Sequence, residues 1–237
     1  VIPCELTRPV LGPLATDSRI TRQLNNIRVK CAVSLERSGS LVAREEGELL
    51  FRDYGVSGVC VFSLSRFACE GDVLSIDFLP HMPAADRDAW LFARRKHLSA
   101  RLGENGQIAA EDVLRGAMLP QVAQVLCKCA GIDPARPLSK KDVLALSRVI
   151  GGLRLTVRGI GDAKQCQVSR GGLSIAAFDP QTMEAVCASG LFAAGEALDV
   201  DAPCGGYNLH WAWSSGLLAG VSAARSAVSA DGEGKGK

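Results

Sequence analysis

The sequence contains no G-x-G-x-x-G, the glycine pattern whose backbone cradles a dinucleotide pyrophosphate. The nearest approach, GIGDAK from Gly159, carries Lys164 where the third glycine belongs. The chain therefore brings no dinucleotide-phosphate loop of its own. Net charge is also scarce: 27 Lys and Arg against 25 Asp and Glu leave +2, which makes no electrostatic case for nucleic acid or an anionic membrane as partner. Apolar runs are broken by charge or glycine well before the length of a membrane span, and no basic, then apolar, then small-residue signal opens the chain. The histidines His81, His97 and His210 lie far apart without zinc-like spacing. Cys127 and Cys129, two apart on a predicted helix, face different ways, so no metal site is expected.

What is present describes a globular protein. The 237 residues are 47% hydrophobic and 22% charged, enough for one or two domains with a real core. Nine cysteines, an odd and scattered set mostly inside apolar runs such as GVCVFSL, fit buried thiols in a reducing cytosol better than a secreted disulfide framework, and imply a cytoplasmic location. The chain opens on Val1 rather than methionine, so a fragment is expected, and the glycine- and lysine-rich residues 231–237 are expected to be disordered.

Periodicity divides the rest. Residues 1–82 alternate like strands: IRVKCAVSLE (Ile27 to Glu36), then LVAREEGELLFRDYG with a turn at EEGE, then DVLSIDFLP (Asp72 to Pro80). Residues 83–151 carry apolar positions three and four apart and predict about four helices, with Pro120 and Ser139 as starts and Gly103, Gly131 and Gly151 as stops. Strands return over 152–190 (LRLTVRGI, QCQVSRGGLSIAAF) and at GLFAAG, leading over 191–230 into a last helix from about Gly206 to Ser229. The class is α+β: a β-barrel-like part, a small helical bundle, then a return to a parent domain.

Three motifs carry candidate chemistry. In SGLFAAGEALD a short apolar strand ends at Gly195 and offers Glu196 and Asp199, acids able to accept hydrogen bonds from sugar-like hydroxyls; a plain solvent-exposed turn would look the same. In APCGGYNLHWAWSSGLLAG, Gly205 and Gly206 clear the start of a helix, where backbone N–H groups and the dipole suit a phosphate, carboxylate or electron-rich ring. Tight packing would also explain the small residues Ser214, Ser215, Gly216, Ala219 and Gly220 further along. SRGGL (Ser169 to Leu173) reads as a hairpin turn or bulge. ARRKHLSAR is a solvated helix face, and Ser57 in GVSGVC lacks the last glycine of a nucleophile elbow.

GLFAAGEALDVDAPCGGYNLHWAWSSGLLAG is similar to the closing motif of a bacterial FAD-dependent oxidoreductase family that includes aminoacetone oxidase-like and bile-acid-reducing flavoproteins. EEGELLFRDYGVSG resembles that family's glycine-flanked segment in a β-rich insert, and QVSRGGLSIAAFDPQTME its strand-turn-strand, so the resemblance covers most of the chain, most specifically residues 165–220. It implies the insert plus the returning C-terminal piece of a split Rossmann-type FAD-binding domain, with the N-terminal half that holds the pyrophosphate loop absent. Gly195, Glu196 and Asp199 would then meet the ribityl or pyrophosphate region. Gly205, Gly206, Tyr207 and Asn208 would lie against the isoalloxazine, with Gly171 and Gly172 approaching the ring from another side. Ala202 and His210 depart from the family's usual glycine and glutamine.

The implied partners are that missing half and a small-molecule substrate, with NAD(P)H compatible as electron donor. The isolated chain is expected to hold FAD weakly or not at all and, through an apolar edge or face of its truncated nucleotide-binding domain, to be open to self-association. No residue stands out as a catalytic acid or base. A non-catalytic interaction module reusing a flavoprotein scaffold is the alternative.

Overall fold

The computed structural model describes residues 1–101 and 107–233, so the expected helix stop at Gly103 and residues 234–237 of the expected tail lie outside the described residues. Two compact units emerge: Pro13–Asp162, and Val1–Gly12 together with the chain from Ala163 onward. The first strand, β1 (Cys4–Val10), belongs to the second of these.

In the unit Pro13–Asp162, β2 (Leu14–Thr16), β3 (Arg28–Arg37), β4 (Ser40–Arg52), β5 (Gly55–Ser57), β6 (Val73–Asp77) and β7 (Leu153–Ile160) close into a barrel in the order β2-β5-β4-β3-β6-β7, all pairs antiparallel. The β3–β4 hairpin turns at Ser38 (φ 51°) and Gly39 (φ 81°), the doubly positive geometry that matches strand twist. Alternation then sends Val33 and Leu35 of β3 and Leu49 and Phe51 of β4 inward, all fully buried. The turn expected at EEGE does not form. Glu45–Glu48 run straight through β4, paired from Val33 to Lys30, because ten residues of β3 offer an unbroken partner. LRLTVRGI, read as a returning strand, is β7 and closes the barrel by pairing with both β2 and β6.

The helices are α1 (Ser18–Thr21), α2 (Val59–Ser65), α3 (Ala84–Arg101), α4 (Pro120–Cys129) and α5 (Lys140–Ile150). Pro120 occupies the first turn of α4, and Ser139 caps α5 in a reciprocal box with Asp142. AAEDVLRGAML, expected to be a helix, makes only a 3₁₀ turn at Glu111–Leu114, cut short by Gly116 at φ 81°. One buried cluster runs from Leu35 and Phe51 in the barrel to Leu126 and Leu146 in the helices, so barrel and bundle share a core. Within it Arg87 of α3, 6% exposed, donates to the carbonyls of Ser147 and Met82 at 3.2 Å each and lies 3.8 Å from Asp77. A Cβ on Gly151 would fall 1.4 Å from that guanidinium.

In the other unit, β1 pairs antiparallel with β8 (Val168–Leu173). Glu5 faces Gly172 and Arg8 faces Arg170, so Leu6 and Thr7 stand opposite Gly171 alone. SRGGL is thus a strand across from a bulge and not a hairpin turn. A Cβ on Gly171 would meet the Leu6 carbonyl oxygen at 2.5 Å, and one on Gly172 the Ala197 oxygen at 2.8 Å. GLFAAG, expected to be a strand, is irregular: its one pairing is the Glu184–Phe192 bridge, and no neighbouring strand continues the ladder among the described residues. The last helix, α6, spans Tyr207–Glu233, past the expected end at Ser229 and into the residues expected to be disordered. The alanine-rich SAARSAVSA preceding that point favours helix.

The thiols are less buried than expected. All nine are free, but only Cys31, Cys60 and Cys127 are buried, while Cys4, Cys69, Cys129 and Cys187 are exposed. Cys127 and Cys129 do separate to opposite environments, as their helical spacing requires. Among the described residues no helix is long and apolar enough to cross a membrane.

Candidate functional site

The chain enters α6 through two left-handed glycines, Gly205 at φ 134° and Gly206 at φ 92°. A Cβ on Gly206 would touch nothing within 4 Å, so the requirement there is conformational, and the space above the backbone stays open. The His210 N–H donates to the Gly206 carbonyl at 3.0 Å, setting the first helical turn and leaving the preceding amides without partners inside the helix. Asn208 turns back from that first turn: its Oδ1 accepts from the Ala202 N–H at 2.9 Å and its Nδ2 donates to the Ala202 carbonyl at 3.0 Å. This double clasp fixes the Ala202–Gly206 loop against the helix start.

The 3₁₀ turn Gly195–Ala197 is held from the same helix. The Gly195 N–H donates to Ser215 Oγ at 2.9 Å, and Trp211 Nε1 donates to the Gly195 carbonyl at 3.1 Å. Gly195 takes φ 62°, and its missing Cβ faces Ala212 at 3.5 Å. On the other side the two acids brace β8: Glu196 Oε1 accepts from the Ser169 N–H, and Asp199 Oδ1 accepts from the Gly171 N–H at 2.9 Å.

A cavity of about 410 Å³ opens between these pieces. Of the residues singled out from sequence, Glu196, Gly205, Gly206 and Asn208 line it. Gly195 is buried behind it, Asp199 is turned to β8, Tyr207 is 61% exposed, and Gly171 and Gly172 press against backbone instead. His210 does not line it either. Sequence reasoning missed Gln167, Val168, Val200, Cys204, Leu209, Trp211 and Ala212. Trp211 and Ala212 were within reach, since they follow Asn208 by three and four residues and so share its face of α6. Cys204 was marked only by its place beside the glycine pair; its Sγ lies 3.5 Å from Gln167 Oε1. Gln167 and Val168 enter through strand pairing, which leaves no local signal.

The helix also carries an exposed apolar row: from Leu209 at the cavity it continues through Trp213 and Leu217, each four residues from the next and 69%, 79% and 73% exposed, to Val221. Trp211, Leu218 and Ala219 meanwhile pack with Phe178, Met183 and Leu198.

With the site laid out, similarity to known proteins gives it a family. Residues 10–222 match the HI0933-like protein Rossmann domain. The chain is 30% identical over 225 residues to the 3-dehydro-bile acid delta(4,6)-reductase of Clostridium scindens, covering 91% of this chain and 53% of that protein. It is 28% identical over 228 residues to the ribosomal RNA dihydrouridine synthase of Escherichia coli, covering 91% and 49%. The synthase of Haemophilus influenzae is 28% identical over 184 residues, covering 75% and 42%. The chain belongs to the HI0933-like Rossmann-domain family. It spans about half the length of the curated relatives it matches.

Proposed function

We propose that this chain works as the C-terminal part of an FAD-dependent oxidoreductase, with its Gly195–Asn208 loops against the flavin and the barrel on the substrate side, as the insert of a split nucleotide-binding domain. The observation that carries this reading is the cavity at the start of α6, where Glu196, Gly205, Gly206 and Asn208 converge. Their chemistry fits the ring and ribityl end of the cofactor: two glycines without side chains admit a flat ring, first-turn amides offer donors at the positive end of a helix dipole, and a carboxylate is available to hydroxyls. The pyrophosphate end has no counterpart in the sequence, so those contacts are proposed to come from chain outside these residues.

A bound flavin supplies hydride transfer. The chain's own residues do the rest. The Asn208–Ala202 clasp holds the loop rigid, so the α6 amides are aimed before any ligand arrives. There they would favour negative charge on a flavin ring held in the cavity. The names of the relatives, a delta(4,6)-reductase and a dihydrouridine synthase, support reduction of an unsaturated substrate as the direction of the reaction. The near-neutral charge supports a small molecule over RNA. The apolar row on α6 supports further polypeptide packing there.

The test is a visible absorbance spectrum of the longest natural gene product beside that of this chain, each after gel filtration. Flavin bands in the long form alone are expected. Flavin in neither would remove the proposal and leave an interaction module.

A further inference from the structure

A second cavity, of about 540 Å³, lies wholly within the unit Pro13–Asp162 and belongs to none of the residues assigned above. Its origin is topological. β6 pairs with β3 only from Ala32 onward, where Ala32 faces Asp77. Beyond that point Asp77 Oδ1 accepts the Leu79 N–H at 2.9 Å, Pro80 has no N–H to give, and the chain peels off the barrel. The Arg28–Cys31 end of β3 is left without a strand on that side, and the departing segment Phe78–Met82 roofs the gap.

The lining is apolar. Cys31 is 1% exposed and Phe78 7%, with Leu79 and Met82 half-buried beside them. The Cys31 thiol stays neutral, because burial pushes it up to about 12 and the nearby Cys60, Asp77 and Glu46 act in the same direction. The charges stand at the rim: Glu46 lies 3.0 Å from His81 Nε2, and Glu48 is paired with Arg28 at 2.5 Å. Lys30 lines the cavity, is exposed, and among the described residues has no ion-pair partner. It also lines a smaller hollow of about 230 Å³ that shares Phe78.

We propose that this barrel cavity is a binding site for an amphiphilic carboxylate, its apolar ring body lodged over Cys31, Phe78, Leu79 and Met82 and its acid group at Lys30. The volume lies within the range of small-ligand sites, roughly 300–1,000 Å³, and a mostly apolar wall with a few polar groups, here including the unpaired Lys30, is their usual composition. Glu48 is paired with Arg28, whereas Lys30 is left to a ligand's acid group. The proposal uses no residue of the flavin-facing site and stands whether or not flavin is bound.

The probes are 1-pyrenebutyrate and its methyl ester, titrated into the 237-residue chain and followed by fluorescence anisotropy. Saturable one-site binding is expected, tighter for the carboxylate. Lys30→Gln should weaken the carboxylate about fivefold, in line with one exposed ion pair, and leave the ester unchanged. Leu79→Trp should weaken both about tenfold by filling the cavity, with an unaltered circular dichroism spectrum; Met82→Trp serves if that variant does not fold. Absence of saturable binding overturns the proposal. So does equal loss for both probes on Lys30→Gln, or binding untouched by the tryptophan variants, which would put pyrene on the apolar row of α6.

Discussion

Asp199 accepts a 2.9 Å hydrogen bond from the backbone N–H of Gly171, so two positions expected at the cofactor are joined to each other. The bond ties the loop after Gly195–Ala197 to the bulged strand β8, next to a second tie from Asp199 N–H to the Leu173 carbonyl at 2.8 Å. Asp199→Ala is expected to destabilise the chain by about 1–2 kcal/mol in urea unfolding, since the amide of buried Gly171 loses a charged acceptor. Asp199→Asn keeps an oxygen there and should recover most of the loss. Equal effects from the two variants would mean that the carboxylate does not act through this bond.

The Arg87–Gly151 contact gives a second expectation. A methyl group at 151 displaces a buried guanidinium from the Ser147 and Met82 carbonyls. Gly151→Ala should therefore cost about 3 kcal/mol, the scale of disrupting a buried charge network, although alanine is ordinarily harmless at a helix end of this φ. Urea midpoints within the error of the wild type would contradict the packing described.

Acid stability should depend on Asp72. Arg37 donates to both its carboxylate oxygens, Nε at 2.9 Å and Nη2 at 2.8 Å, and this pairing holds the Asp72 carboxyl below the usual carboxylate range. A depressed folded value means that the contribution is complete above the unfolded value of about 3.9 and is lost as pH falls through the lower folded value. Asp72→Asn should lower the unfolding midpoint at neutral pH and flatten its acid dependence. A parallel shift at every pH would indicate that the charge is irrelevant.

Thiol counting tests the burial pattern. Burial pushes Cys31 and Cys127 up to about 12 and Cys60 to about 11, so all three should resist a disulfide reagent at neutral pH until the chain unfolds. Cys4, Cys69 and Cys187 are exposed and should react at once. Fast titration of all nine would show a looser core.

Much of this architecture is legible locally. Alternation found β3, a proline and a serine found the starts of α4 and α5, and the glycine pair marked the entry to α6, because each is a short-range backbone effect. What escaped is set at long range. Nothing near Glu45–Glu48 shows that β3 keeps pairing through them, and nothing in LRLTVRGI says that it closes a barrel begun 139 residues earlier, as the Asp17–Thr156 bond records. The site divides in the same way. Gly205 and Gly206 were visible as glycines at a helix start. The partners of Glu196 and Asp199, and the Gln167 and Val168 wall, depend on how β8 is held.

The apolar row on α6 predicts that this chain associates with itself. Sedimentation should show a concentration-dependent dimer or larger species, reduced by replacing exposed Trp213 and Leu217 with lysine. A monomer at all concentrations would show that the row is tolerated in water.

The most direct measurement is the FAD dissociation constant of the long gene product, wild type against Gly206→Val, with the urea midpoint of each taken alongside. A β-branched side chain at φ 92° both strains the entry to α6 and fills the open space above it. Flavin binding at least about tenfold weaker is expected, with the barrel unit's unfolding unchanged. Equal FAD affinity in the two proteins would contradict it and move the flavin away from the α6 cavity.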